Sequence, residues 1–111
     1  MVIVASFKEA MRRGLPEQHS IANTHPKWWE GPALEDLSPG RIVWQLKKNQ
    51  ITQGDYIYQY KNMLKRLDEY GYDWNSLEGK TLLCWEPIGM FCHRNILADF
   101  LEQKGFKVSR Y

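Results

Sequence analysis

No stretch of this sequence approaches the ~18 consecutive apolar residues that a bilayer-spanning helix needs, which excludes a helical membrane protein and leaves no membrane partner to expect. The opening run Met1 to Ser6 is too short for a signal-peptide core, so the expectation is a cytoplasmic protein. Cysteine is scarce. Only Cys84 and Cys92 are present, too few for a disulfide scaffold, and without a secretory signal a reduced pair is expected. Charge of one sign is also scarce: 15 Lys and Arg against 13 Asp and Glu leave a net charge of +2, too mild for the basic stripe of a non-specific DNA binder. Arg12-Arg13 and Lys47-Lys48 are accordingly read as solvated faces, with contacts to a nucleotide or a nucleic-acid backbone as the alternative. A Gly-rich phosphate loop, a His-Glu-x-x-His pair, a Gly-x-Ser-x-Gly elbow and a four-ligand zinc spacing are all missing, which removes the commonest kinases, metalloproteases and esterases. There is no repeat or linker either, so the 111 residues are read as one domain, 1–111.

One stretch organises the rest. Leu82-Leu83-Cys84-Trp85 has the length of a buried strand and is closed by Glu86-Pro87, because proline drives the preceding residue out of the helical region. Beyond the turn, Ile96, Leu97, Phe100 and Leu101 recur at helical spacing up to Lys104-Gly105. Cys92, His93 and Arg94 therefore stand at a helix N-terminus, where unpaired N–H groups and a partial positive charge receive anions and lower a thiol's pKa.

The remaining chain supplies a scaffold. Val2 to Ala5 is read as a first strand and Lys8 to Arg13 as a short helix stopped by Gly14; residues 18–23 carry a weaker strand signal. Ser38-Pro39 has the form of a helix start, and Thr52-x-x-Asp55 that of a cap for the longest helix, whose Tyr56, Tyr60, Met63, Leu64 and Leu67 share one face. Residues 73–80 suggest a capped turn, and Phe106 to Tyr111 alternate as a closing edge strand. The strand, helix and strand from Thr81 to Tyr111 imply a parallel pair joined by a right-handed crossover. The predicted fold is α/β: a small three-layered domain with a mainly parallel central sheet and flanking helices.

Candidate chemistry gathers at the turn. Glu86, Cys92 and His93 are the candidate catalytic residues, with Glu86 and His93 as an acid/base pair for hydrolysis or transfer. Cys92 has three readings: a nucleophile, a packed residue, or a metal ligand with Cys84, His93 and either Glu86 or His25. Its spacing lacks the close cysteine pair of structural zinc sites, so no metal and no cofactor are expected. Arg94 opposes the helix dipole unless an anion is near, which can be Glu86 or a bound phosphate. Residues 26–32 combine two prolines, a glycine and the pair Trp28-Trp29, read either as a lid on the core or as a stacking platform. Asn23 and Lys27 complete the candidate ligand-binding set with Arg94, Trp28 and Trp29.

Cys84-x-Glu86 followed by Cys92-His93-Arg94 resembles the domain of unknown function 488 family. The likeness extends to Ser20-Ile21-Ala22, Pro26-Lys27-Trp28-Trp29-x-Gly31, Leu37-Ser38-Pro39, Tyr56-x3-Tyr60 and Gly105-x-Lys107-Val108, while Thr24-His25 and a short connection after the first strand depart from it. The resemblance implies an α/β domain with a residue cluster at the Cys-His-Arg turn and a role on or near nucleotides or nucleic acids. The functional expectation is a domain that binds, and in its enzymatic form processes, an anionic nucleotide- or nucleic-acid-related ligand. The alternatives are a non-catalytic nucleotide-sequestering or protein-interaction module, and a thiol or metal site at Cys92. Whether the chain is an enzyme stays open.

Overall fold

A computed structural model describes residues 1–85 and 91–111 of the chain; Glu86, Pro87, Ile88, Gly89 and Met90 lie outside the described residues, so the expected acid at Glu86 is not placed. Along the chain run β1 (Val2–Ser6), α1 (Phe7–Arg13), β2 (Gln18–Ser20), a 3-10 turn at Glu35–Leu37, α2 (Ile42–Lys47), α3 (Gln53–Glu69) and a 3-10 turn at Trp74–Leu77. They are followed by β3 (Thr81–Cys84), α4 (His93–Gln103) and β4 (Val108–Arg110).

β3 is buried at every position, and β1 carries apolar side chains on both faces, so these two strands take the interior of the sheet. The order is β2-β3-β1-β4 with every pairing parallel. In this register Ser6 lies beside Cys84 and Ser20 beside Leu83, which brings three strand ends to one carboxyl edge.

Three layers follow from the alternation along the strands. Val2, Val4 and Leu82 share a cluster with Tyr60 and Leu64 of α3 and with Leu97 and Leu101 of α4. On the other face Ala5 and Leu83 pack with Phe7 and Ala10 of α1. The expected α/β architecture is therefore the observed one. No helix among the described residues is long and apolar enough to cross a membrane.

Local signals act as the sequence predicts at most helix ends. Thr52 accepts from the Asp55 N–H while the Asp55 carboxylate accepts from the Thr52 N–H, a reciprocal cap that starts α3. Gly14, at φ 62°, ends α1 in the left-handed conformation that costs glycine least. Two expectations need correction. No helix starts at Ser38-Pro39: Gly40 sits at φ 70°, which no right-handed helix accommodates, so α2 begins only at Ile42 and the Ser38 hydroxyl donates back to the Glu35 carbonyl. The strands flanking α4 are parallel but not neighbours, because β1 lies between β3 and β4 and bonds to both.

Candidate functional site

The segments leaving the sheet's carboxyl edge are tied to one another. After β2 the Ser20 hydroxyl accepts from the Ala22 N–H at 3.1 Å and turns the chain. The Asn23 carboxamide then bridges to the approach of α2, donating to the Gly40 carbonyl at 2.7 Å and accepting from the Gly40 N–H at 2.9 Å. After β3 the Trp85 indole donates to the Thr24 carbonyl at 2.8 Å. Between these segments opens a cavity of about 360 Å³. Its walls include Asn23, Trp44, Lys47, Tyr56, Trp85 and Phe91, and Cys84, Cys92 and His93 also face it.

Cys84 ends β3, and Cys92 is the residue that caps α4, in an extended conformation with φ −156°. The two are joined by a disulfide. The expectation of a reduced pair is therefore corrected: it rested on compartment alone, whereas the fold sets the strand end and the helix start face to face across eight residues of chain.

His93, the first residue of α4, is buried. Its Nε2 lies 2.6 Å from the Ile21 carbonyl, which can only accept, so Nε2 carries the proton and Nδ1 presents a lone pair. That lone pair faces Cys84 Sγ and Cys92 Sγ, each at 3.6 Å. The Tyr60 ring meets the imidazole edge-on at 5.3 Å and fixes its plane. Burial pushes His93 down to about 4, with the Arg94 charge acting in the same direction and the Ile21 carbonyl opposing both. The imidazole is consequently neutral at physiological pH.

The fold brings Cys92, His93 and Asn23 to one cavity and places the other candidates elsewhere. Arg94 is 1% exposed and, among the described residues, is not part of the cavity lining. Trp28 and Trp29 pack edge-on against Phe7 at 6.4 and 5.4 Å, together with Trp85 and His25, in an aromatic cluster beside the cavity. Lys27 is exposed on the same loop. Gly31 is required there because a Cβ would run into the Trp29 ring. His25, a candidate fourth metal ligand, is held against Phe7 and is not part of the sulfur and imidazole group.

Lys47, half of a basic pair that the sequence reads as a solvated face or a nucleotide contact, lines the cavity from α2. Trp44 stands on the same helix and was not singled out in the sequence; a tryptophan off the apolar stripe Ile42, Val43 and Leu46 is the one available signal for it. It is 51% exposed, with the Lys47 ammonium 5.0 Å from its ring centroid. Tyr56, which the sequence places on the apolar face of the longest helix, and Phe91, which no sequence signal marks, also wall the cavity, and their rings meet at 5.1 Å.

No protein-family model, curated protein or solved structure matches the chain.

Proposed function

We propose that the chain binds a small anionic ligand carrying a planar ring, related to a nucleotide or a nucleic-acid fragment, in the cavity at the carboxyl edge of its sheet. One observation carries this reading: about 360 Å³ of space walled by Trp44, Tyr56, Trp85 and Phe91, with the Lys47 ammonium on the same lining. Cavities of this size suit small ligands, and the carboxyl edge of a parallel sheet is where open α/β folds bind them. Aromatic walls accept a ring by stacking, worth about 1–3 kcal/mol per base. Lys47 and the N-terminus of α4 favour the anionic end. Membership of the domain of unknown function 488 family belongs to the same proposal and rests on the motifs quoted above. In an enzymatic form, processing of the ligand falls to Cys92, His93 and Glu86; in the disulfide the Cys92 sulfur is not a free nucleophile.

Thermal melts with mononucleotides, nucleosides, short single strands and orthophosphate test the reading. A ligand present at 100 times its dissociation constant should add about 2.7 kcal/mol of stability, with both Trp44→Ala and Lys47→Ala weakening it. A ligand whose affinity ignores both substitutions would place binding elsewhere. A second reading is favoured by exposure: Trp28, Trp44 and Trp85 are 52%, 51% and 47% accessible, an aromatic surface suited to a protein partner. That reading gains if no small molecule shifts the melt.

A further inference from the structure

A donor set of a different kind also lines the cavity. Cys84 Sγ, Cys92 Sγ and His93 Nδ1 lie within 4.8 Å of one another, and all three residues are buried. The imidazole is prepared in the manner of a metal-binding histidine. Its distal nitrogen donates to a backbone carbonyl, which fixes the tautomer and aims the Nδ1 lone pair at the sulfurs. In the disulfide neither sulfur has a hydrogen to give, and among the described residues the two sulfurs are what that lone pair meets.

The spacing is informative. A tetrahedral zinc ion with bonds of about 2.3 Å to sulfur and about 2.05 Å to nitrogen sets each sulfur about 3.6 Å from the nitrogen. Both sulfurs stand at 3.6 Å from Nδ1. The Cα atoms of Cys84 and Cys92 are 7.4 Å apart. Two thiolates on one tetrahedral cation stand about 3.8 Å apart, a separation the reduced sulfurs reach by moving apart at the same two positions.

We propose that the reduced chain binds one thiophilic divalent cation of the zinc type through Cys84 Sγ, Cys92 Sγ and His93 Nδ1, and that the disulfide is the metal-free state of the same site. A dithiol, or two monothiol molecules, reduces the disulfide: two electrons and two protons pass to the cysteine sulfurs as the reductant forms its own disulfide. Metal binding then releases the two thiol protons to solvent, and two thiolates balance the dipositive charge. All three donors line the cavity, and among the described residues no fourth ligand joins them, so of those residues none fills the fourth coordination position. Three protein ligands and an open position are the pattern of reactive zinc sites, whereas a fourth ligand from residues outside those described, such as Glu86, would close the site as structural sites do. The proposal stands on this donor geometry and does not depend on which ligand the cavity takes.

The test uses the full chain, reduced anaerobically with a phosphine that is then removed, and metal alone as the probe. Zinc measured after gel filtration against a weak competing chelator should be about one per chain in the reduced protein, and below about a tenth of that after reoxidation or in Cys84→Ser and Cys92→Ser. Misfolding of either serine variant would also abolish uptake, so cobalt(II) added to reduced wild-type protein gives an independent readout. Sulfur-to-cobalt charge-transfer absorption with the intense visible bands of a tetrahedral ion is expected, and imidazole or azide should shift those bands through the open position. Zinc uptake that is equal in oxidised and reduced protein, or bound cobalt without charge transfer from sulfur, would overturn the proposal.

Discussion

At the scale of single residues, His93 concentrates the chemistry. Its folded-state pKa of about 4 lies below the ordinary value of 6.5, because a buried imidazole loses hydration when it is charged. Above pH 6.5 folded and unfolded chains both hold it neutral and no penalty exists. As the pH falls below 6.5 the unfolded chain takes up a proton that the folded one refuses, so stability declines until the fold also protonates near pH 4. The loss amounts to about 3 kcal/mol for the metal-free, oxidised protein. The expected observation is a His93 imidazole that stays neutral by NMR at pH 5.5 while the urea midpoint falls. A His93 that protonates above pH 6 would contradict the burial argument. The triplet's position at a helix start was legible from the apolar spacing of Ile96, Leu97 and Leu101, and from the turn implied by Glu86-Pro87. That His93 faces inward was not, because its partner, the Ile21 carbonyl, is 72 residues away in the chain.

At the scale of elements, the reading succeeded where a signal was local and failed where a competing backbone conformation decided. Thr52 and Asp55 announce α3 by themselves, since both bonds of the cap close within four residues. Thr52→Ala should cost about 1 kcal/mol and be visible as a lower urea midpoint with an unchanged slope. A cost near zero would mean that packing of Tyr56, Tyr60 and Leu64 alone holds that helix. Ser38-Pro39 carries an equally good start signal, but Gly40 in a left-handed conformation, fixed through the Asn23 bridge, postpones α2 to Ile42. Trp44 and Lys47 of this shortened helix line the cavity.

For the whole molecule, the all-parallel order β2-β3-β1-β4 gathers the ends of β1, β2 and β3 at one edge, and no local pattern announces which strands neighbour which. Apolar content on both faces of Val2–Ser6 and Thr81–Cys84 is legible and consistent with interior strands. The insertion of β1 between β3 and β4 is not, because it depends on contacts about a hundred residues apart, such as Val2 with Val108. The disulfide closes the connection between this sheet and α4. Cross-linking residues eight apart removes chain entropy from the unfolded state worth about 2–3 kcal/mol, so reduction in the absence of metal should lower stability by that amount. Urea unfolding with and without a phosphine reductant measures it, and a Cys92→Ser control should be insensitive to the reductant. Equal stability in both states of the wild type would contradict that contribution.

The central claim is that function resides in the cavity at the carboxyl edge, and an amide-resolved NMR titration with a mononucleotide tests it most directly. Saturable shifts confined to Asn23, Trp44, Lys47, Cys92 and His93 are the result expected, with the Trp44 and Trp85 indole N–H signals moving in the same isotherm. Saturable shifts centred on the Trp28 and Phe7 cluster or on α1, with the α2 and α4 amides unmoved, would contradict it.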